Sequence, residues 1–535
     1  MKTRYKILSS LAAVLIIMFG ATSCTEDLDT SPLDNDVVTS ASVYEDAQGY
    51  KQVLGKCYAG LSMTGQQGPA GMPDIQGIDE GFSSYLRGYW NHQVLPSDQA
   101  VIGWNDAGLP NLYEINWSAT NGFVKAMYNR IFYQITLTNE FIRESQDGNL
   151  SDRGISGEAK SEVQTYRSEA RFLRAYSYWH AIDLFGNVAF ATEDDNVGAF
   201  NPPQKSRAEV FNYIEQELLD VLENGYLMEP KQNEYGRIDK AAAWMLLAKL
   251  YLNAEVYTGE AMWQEAMTYA QKVIESNYTL EDNYAHLFMA DNHTANGIIF
   301  PVTFDGQNAQ TYGGMNFLIH QAVGGSNMTG DEFGIDGGWA GSRITPEFYT
   351  VFENSATHPG GDSRVMIQTD GHQAEIEDPA EFTQGYAVRK FTNKTSDGGQ
   401  GNNEAFADTD WPVFRLADAY LMYAEAAIRS SSNLSVAVDY VNEVRLRAYG
   451  DQTGEISQGD LTLDFILAER GRELYWEGHR RTDLIRFDRF TGGDYIWSWK
   501  GGVQEGASVD DHYQLFPIPA SEINANPNLE QNPGY

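Results

Sequence analysis

The chain has 535 residues, and its 74 Asp and Glu against 37 Lys and Arg give a net charge of −37 at pH 7. Such a surface repels nucleic acids and other polyanions, because binding them requires Lys and Arg to neutralise their charge. The 31 Tyr, 25 Phe and 11 Trp residues exclude an intrinsically disordered chain. The composition therefore favours a globular protein with a neutral or cationic ligand and no nucleic-acid partner.

The N-terminal residues have the pattern of an export signal. Three basic residues among the first six precede an apolar run, and small residues at 21–23 precede Cys24. A cysteine at this boundary predicts a lipoprotein signal peptide over 1–23 and an acylated Cys24; the alternative is a plain secretory peptide. The apolar run is shorter than the ~20 residues of a membrane-spanning helix, so we expect a lipid anchor and an otherwise soluble chain over 24–535.

Helical periodicity is concentrated in two blocks, roughly 119–276 and 411–490. The predicted helices span 122–143, 158–185, 206–224, 240–257 and 260–276, followed by segments that begin at Trp411, Val436 and Leu461. Small and aromatic residues alternate at successive turns of 240–257 and 260–276, as in tetratricopeptide helix pairs. We therefore predict a mostly α fold with a tetratricopeptide-like α-solenoid scaffold.

Outside these blocks, residues 60–118 and 277–410 are rich in Gly, Asn, Asp and aromatic residues. Loops longer than ~15 residues are usually functional or disordered, and the aromatic content argues against disorder. We therefore expect a large loop-rich region that carries the ligand site.

No sequence motif indicates catalysis: the chain has no nucleophile elbow, no HExxH, no P-loop and no Cys/His cluster with zinc spacing. Paired carboxylates remain open, since a glycosidase acid and base need only meet in space. Near the C-terminus we predict an ion-pair network that fixes the last helices, with His479 as a structural partner. Its members are Arg472, Arg480, Arg481 and Arg486 with Glu473, Glu477 and Asp483.

Three aromatic residues lie next to glycines in the loop-rich region: Trp104, Tyr312 and Trp339. Sugar rings present apolar C–H faces, so carbohydrate sites need exposed aromatic rings with polar side chains around them. The alternative is that each aromatic ring anchors its loop on the scaffold. Three together favour a stacking platform.

Several segments resemble the SusD/RagB family of outer-membrane lipoproteins. They are the Cys24 boundary, 170–175 with 183–186, 414–421, 469–487 and the tail 516–535. The resemblance implies a tetratricopeptide-type scaffold at the outside of the outer membrane. It also implies a non-catalytic protein that binds glycan and caps a SusC-like TonB-dependent transporter.

Other segments are similar in particular to the starch-binding member of that family: 62–68, 77–81, 95–98, 251–259, 287–292 and 497–502. This similarity implies that Trp104, Tyr312 and Trp339 form an arc that follows the helical twist of amylose. It also implies that Asp79 and Arg87 bind hydroxyl groups. Either Asn105 or Asp106 takes the place of a sugar-binding asparagine.

The function expected from these residues is capture of starch or malto-oligosaccharides. The alternatives are another neutral glycan, a surface glycoside hydrolase, and a solenoid adaptor without a glycan ligand. No cofactor is predicted. Acidic loop residues such as Asp291, Asp331 and Asp336 leave a calcium ion open, without an assigned ligand set.

Overall fold

The structure is a computed structural model that describes residues 40–70, 72–198, 200–352 and 361–535. The predicted signal peptide and Cys24 lie outside the described residues. The described chain is mostly helical with a few short strands, and it has the tetratricopeptide-like helical fold. The prediction of a mostly α class is therefore confirmed.

The longer helices, of nine residues or more, are labelled in chain order. They are α1 Ala47–Ser62, α2 Tyr85–Gln93, α3 Gly122–Glu144, α4 Gly157–Phe185, α5 Arg207–Glu223, α6 Lys240–Leu252, α7 Trp263–Ile274, α8 Gly314–Ala322, α9 Leu416–Ser430, α10 Leu434–Tyr449 and α11 Leu463–Leu474. Shorter helices span Ser40–Val43, Pro110–Tyr113, Asp147–Asp152, Ala254–Thr258, Gly330–Phe333, Pro346–Tyr349, Arg480–Arg486 and Ala520–Ala525.

Most scaffold helices pack on their neighbours along the chain, which produces the solenoid, and α11 packs on α9. The longest helix, α4, contacts α3 on one side and α5 on the other, and α6 contacts α5 and α7. Local sequence fixes the helix starts: Asn121 accepts hydrogen bonds from the first turn of α3, and Ser206 with Glu209 forms a capping box at α5. Buried apolar side chains on these faces supply the core.

The two helical blocks join directly, because α7 packs on α9. Residues 275–415 are thus an insertion between neighbouring helices of one solenoid. The prediction that the second block begins at Trp411 is wrong. Trp411–Arg415 is a strand, because the segment pairs with Ile298–Val302. The helix begins at Leu416.

Short antiparallel strand pairs join segments between the helices, most of them in the loop-rich region. In chain order the strands are β1 Val101–Ile102, β2 Val188–Ala189, β3 Gln204–Lys205, β4 Ile298–Val302, β5 Ser342–Arg343, β6 Ile367–Gln368, β7 Ala387–Val388 and β8 Trp411–Arg415. They pair as β1 with β5, β2 with β3, β4 with β8, and β6 with β7. Two helices also lie here that the sequence did not indicate, α2 and α8. Almost all of their residues are buried, so neither shows the one-sided apolar pattern of a surface helix.

The predicted ion-pair network is present: Arg486 pairs with Asp483 as expected, and most other members pair with residues outside the predicted set. Glu473, which is fully buried, lies between Arg364, Arg415 and Arg447. Burial opposes its charge, but the three guanidinium groups outweigh burial and lower the pKa of Glu473 to about 2. Three of the predicted arginines bind carboxylates from distant parts of the chain: Arg480 binds Asp98, Arg481 binds Asp183 and Arg486 binds Glu425. Arg472 and Arg486 also pair with carboxylates three residues earlier, Glu469 and Asp483.

His479 is a structural residue, as predicted. Its Nδ1 lies 3.4 Å from Nζ of Lys249, which itself pairs with Asp418. Burial, followed by the charge of Lys249, lowers the pKa of His479 well below its usual value. The ring is therefore neutral and held beside Lys249 in the scaffold. Within the described ranges, no helix is both long and apolar enough to cross a bilayer.

Candidate functional site

A two-stranded ladder brings two distant tryptophans together. β1 pairs with β5 so that Ile102 faces Ser342, and the next backbone hydrogen bond runs from Gly103 N–H to the Gly341 carbonyl at 3.0 Å. Trp104 follows β1 and Trp339 precedes β5. The two residues, 235 positions apart in sequence, therefore leave the same end of the ladder.

The two indoles are fixed beside each other and remain partly exposed. Their ring centroids are 6.3 Å apart at an angle of 49°, and Nε1 of Trp104 donates to the Trp339 carbonyl at 3.1 Å. A Cβ added to Gly341 would lie 2.9 Å from Cζ2 of Trp104, so the ring packs directly on that backbone. The two rings are tilted against each other, and both side chains are half-buried.

A histidine supports the second indole from below. His320 in α8 stacks on Trp339 with 4.6 Å between centroids and 23° between planes. Its Nδ1 donates to the Gly337 carbonyl at 2.7 Å, since a carbonyl can only accept. Burial lowers the pKa of His320, so the neutral ring forms a flat base under Trp339.

Arg87 lies beside the first indole. Its guanidinium carbon is 4.2 Å from the ring centroid of Phe317 and 5.7 Å from that of Trp104. Nη1 donates to the Gly81 carbonyl at 3.0 Å. Burial lowers the pKa of Arg87 to about 10, opposed by the nearby Asp106 and Asp79 carboxylates. The Arg87 side chain is thus a charged donor next to Trp104, and Phe317 and the Gly81 carbonyl hold it in place.

Tyr312 and Asp79 lie together where α8 begins. A Cβ added to Gly81 would be 3.1 Å from Oδ1 of Asp79 and 3.9 Å from Cβ of Tyr312. Both side chains therefore lie next to Gly81. Tyr312 is 43% exposed, and its ring is 5.4 Å from that of Phe406. The N–H of Gly314 donates to Ser84, the residue that caps α2 and so places Arg87.

Six of the seven predicted site residues thus lie along α8, where α2 and the β1–β5 ladder pack on it. Asp79 and Tyr312 lie at the start of α8, Arg87 lies on α2 against the middle of α8, and the two indoles lie at the end of α8. Asp106 is close enough to Arg87 to affect its pKa. Asn105 and Asp106 are both exposed after Trp104, and the choice between them stays open.

Three supporting residues were missed by the sequence analysis: Phe317, His320 and Phe406. Phe317 contacts both Arg87 and Trp104, with 6.1 Å between the two aromatic centroids. Phe317 and His320 are three positions apart in α8, so they lie on the same side of that helix. Because Gly314–Ala322 is buried all round, its sequence has no polar face that would mark it as a helix. Phe406 gave no local signal either, because its contact with Tyr312 depends on the path of two loops.

The acidic residues considered for calcium do not form a metal site. Asp331 and Asp336 are exposed, and Asp291 accepts hydrogen bonds from the backbone and side chain of Ser396. In the part of the chain that the structure describes, no group of three or more His, Cys, Asp or Glu could hold a metal ion. A cavity of ≈ 600 Å³ lies elsewhere, between α3 and the 189–202 loop, and none of the predicted site residues lines it.

Comparison with known proteins defines the class. A sequence model of the SusD family matches residues 302–535. The chain is 36% identical over 583 aligned positions to the starch-binding protein SusD of Bacteroides thetaiotaomicron, with all of both chains covered. The chain belongs to the SusD family, whose members are carbohydrate-binding, non-catalytic proteins associated with the cell surface and the outer membrane.

Solved structures agree with this fold. A SusD superfamily protein from Bacteroides thetaiotaomicron has a TM-score of 0.70 at 20% identity, over 91% of this chain and 100% of that one. A laminarin-binding SusD-like protein has a TM-score of 0.68 at 21% identity, over 92% and 100%. Family membership argues against the hydrolase and adaptor alternatives.

Proposed function

We propose that this protein captures starch and malto-oligosaccharides at the outer surface of a bacterial cell and passes them to a SusC-like TonB-dependent transporter. The observation that carries the proposal is the Trp104–Trp339 pair, two tilted, partly exposed indoles fixed side by side. A helical α-glucan presents successive sugar faces along a curve, which a tilted pair of rings can follow. The 36% identity over the full length to a starch-binding protein supports the same ligand.

Each side chain has a separate part in the proposed binding. Trp104, Trp339 and Tyr312 stack on the C–H faces of successive glucose units, and each contact contributes roughly 0.5–1.5 kcal/mol beyond area burial. Arg87 donates charged hydrogen bonds to sugar hydroxyls, and Asp79 accepts from them. Asn105 or Asp106 contributes a further polar contact. The single contacts are modest, so affinity grows with the number of glucose units and ligand release is fast enough for transfer.

The second candidate is another neutral glycan. One structural relative is a laminarin-binding protein, and the shared fold therefore accommodates more than one polysaccharide. Calorimetry on the chain beginning after Cys24 separates the two. We expect binding of maltoheptaose and of α-cyclodextrin, with weaker or no binding of laminarin fragments. Binding of laminarin fragments alone would refute starch as the ligand and retain the family function.

The anchor and the transporter are separate parts of the proposal. We propose that Cys24 is acylated after removal of residues 1–23, and that the lipid holds the protein at the outer membrane. A Cys24→Ala variant tests this, because it should move from the outer-membrane fraction to the soluble fraction. Co-purification of a TonB-dependent barrel with the wild-type protein, extracted in mild detergent, tests the transporter partnership.

A further inference from the structure

One exposed segment beside the two tryptophans is unusually acidic. Residues 375–384, here called the wall segment, carry four exposed carboxylates: Glu375, Glu377, Asp378 and Glu381. No salt bridge within the described ranges involves any of the four. The wall segment therefore exposes several negative charges to solvent.

The wall segment is attached to the residues that flank both indoles. A Cβ added to Gly103, which precedes Trp104, would lie 2.7 Å from the Pro379 carbonyl. A Cβ added to Gly324 would lie 2.6 Å from Cβ of Ala340, which follows Trp339, and 3.1 Å from the Phe382 ring. The segment thus contacts the backbone next to Trp104 and packs close to the backbone next to Trp339.

A buried arginine fixes this attachment. Arg343 in β5 is fully buried, and its guanidinium donates to the carbonyls of Pro379 at 2.6 Å, Glu381 at 3.2 Å and Gln384 at 2.9 Å. The same group donates to the Gly341 carbonyl at 2.7 Å, on the strand that carries Trp339. One cation therefore joins the wall segment to the tryptophan ladder, and its charge offsets only one of the four carboxylates.

We propose that the wall segment is a charge filter, which disfavours anionic glycans and so restricts the site to neutral ones. This inference rests on the proposed function, because it assigns a ligand class to the same site. A glycan on Trp104 lies next to the wall segment, because Pro379 in that segment contacts the backbone before Trp104. The Debye length is about 30 Å at 0.01 M salt and about 8 Å at 0.15 M, so the charges of the segment are screened much less at low salt. Repulsion of a carboxylated glycan should then be strong at low salt and weak at high salt.

The test compares two probes on three proteins. The probes are maltoheptaose and maltoheptaose whose primary alcohols have been oxidised to carboxylates. The filter variant combines Glu375→Gln, Glu377→Gln and Glu381→Gln, and leaves Asp378, whose Oδ1 accepts from Ala380 N–H, in place. The control variant combines Glu162→Gln, Glu265→Gln and Glu455→Gln, which removes the same charge from exposed positions elsewhere.

We expect the filter variant to bind the oxidised probe about fivefold more tightly than wild type does at 0.01 M salt, with the gain shrinking at 0.5 M. The control variant should bind the oxidised probe with the affinity of wild type. Wild type and both variants should bind maltoheptaose equally. Equal affinity of filter and control variants for the oxidised probe would overturn the charge filter alone. Failure of wild type to bind maltoheptaose would instead refute starch as the ligand, and the filter with it.

Discussion

The indole N–H of Trp104 donates to the backbone carbonyl of Trp339 at 3.1 Å. This bond consumes the one polar group of the Trp104 ring inside the protein, so the exposed part of the indole is apolar. It also fixes the Trp104 ring against the backbone of Trp339, while the stack on His320 orients the Trp339 ring. The pair is thus preorganised, and stacking a ligand on it costs little ordering of side chains.

Close packing behind Trp104 gives the first prediction. Gly341→Ala places a Cβ 2.9 Å from Cζ2 of Trp104, which must displace the ring or the strand at a cost of about 1–3 kcal/mol. We expect about fivefold weaker binding of maltoheptaose by calorimetry, from partial loss of a stacking contact. Gly337→Ala is the matched control, because a Cβ there meets no atom within 4 Å. Equal affinities of both variants would contradict the packing account.

The second prediction concerns Tyr312. Tyr312→Ala should weaken binding of maltoheptaose about five- to tenfold, since it removes one stacking ring of the arc. Tyr226→Ala is a control of similar exposure, 45% against 43%, in the connection between α5 and α6. Titration calorimetry on both variants decides the matter. If Tyr226→Ala lowers affinity as much as Tyr312→Ala, the effect is not local to the arc.

Protein stability should fall in mild acid, because buried histidines such as His92 are held neutral in the folded protein. Burial, reinforced by Arg481, lowers the pKa of His92 to about 4, while its unfolded value is ~6.5. Between these values the unfolded chain binds more protons than the folded one. The stabilisation from neutral His92 is therefore complete above about pH 6.5 and is lost as the pH falls towards 4.

The loss from His92 alone should reach about 2 kcal/mol at pH 5. Urea unfolding at pH 7.5 and pH 5 measures it in the wild type and in His92→Gln. We expect the difference in unfolding free energy between the two pH values to be smaller by about that amount in the variant. If the unfolding free energies of wild type and His92→Gln change equally between the two pH values, His92 does not titrate as its burial implies.

A further prediction concerns the buried ion pairs. Glu473→Gln removes the charge that Arg364, Arg415 and Arg447 share, and breaking a buried pair costs about 3–5 kcal/mol. Asp464→Asn breaks a surface pair with Arg489, whose side chains are 82% and 37% exposed, and should cost under about 1 kcal/mol. Thermal unfolding of the two variants compares them directly. A small effect of Glu473→Gln would mean that the remaining network compensates for the lost charge.

The sequence predicted the scaffold well because helical periodicity is a local property. The predicted helix 206–224 differs by one residue at each end from Arg207–Glu223, and 158–185 by one residue from Gly157–Phe185. The strand at Trp411–Arg415 was missed because it depends on a partner more than 100 residues away, at Ile298–Val302. Buried helices such as Gly314–Ala322 were missed because they lack a polar face.

Residue types indicated Trp104, Tyr312 and Trp339, and family resemblance indicated Asp79 and Arg87. Neither could supply the contacts that orient them. The β1–β5 ladder, the stack of His320 under Trp339 and the attachment of the wall segment by Arg343 all join segments far apart in sequence. Such pairings depend on tertiary packing and leave no periodic signal in the chain.

If the fixed indole pair binds α-glucan, removal of either ring should weaken binding. We would titrate maltoheptaose calorimetrically into wild type, Trp104→Ala, Trp339→Ala and Trp244→Ala, a half-buried control in the scaffold. We expect wild type and Trp244→Ala to bind, and the affinity of each of the other two variants to fall about tenfold or more. Undiminished binding by folded Trp104→Ala and Trp339→Ala would contradict binding at the indole pair.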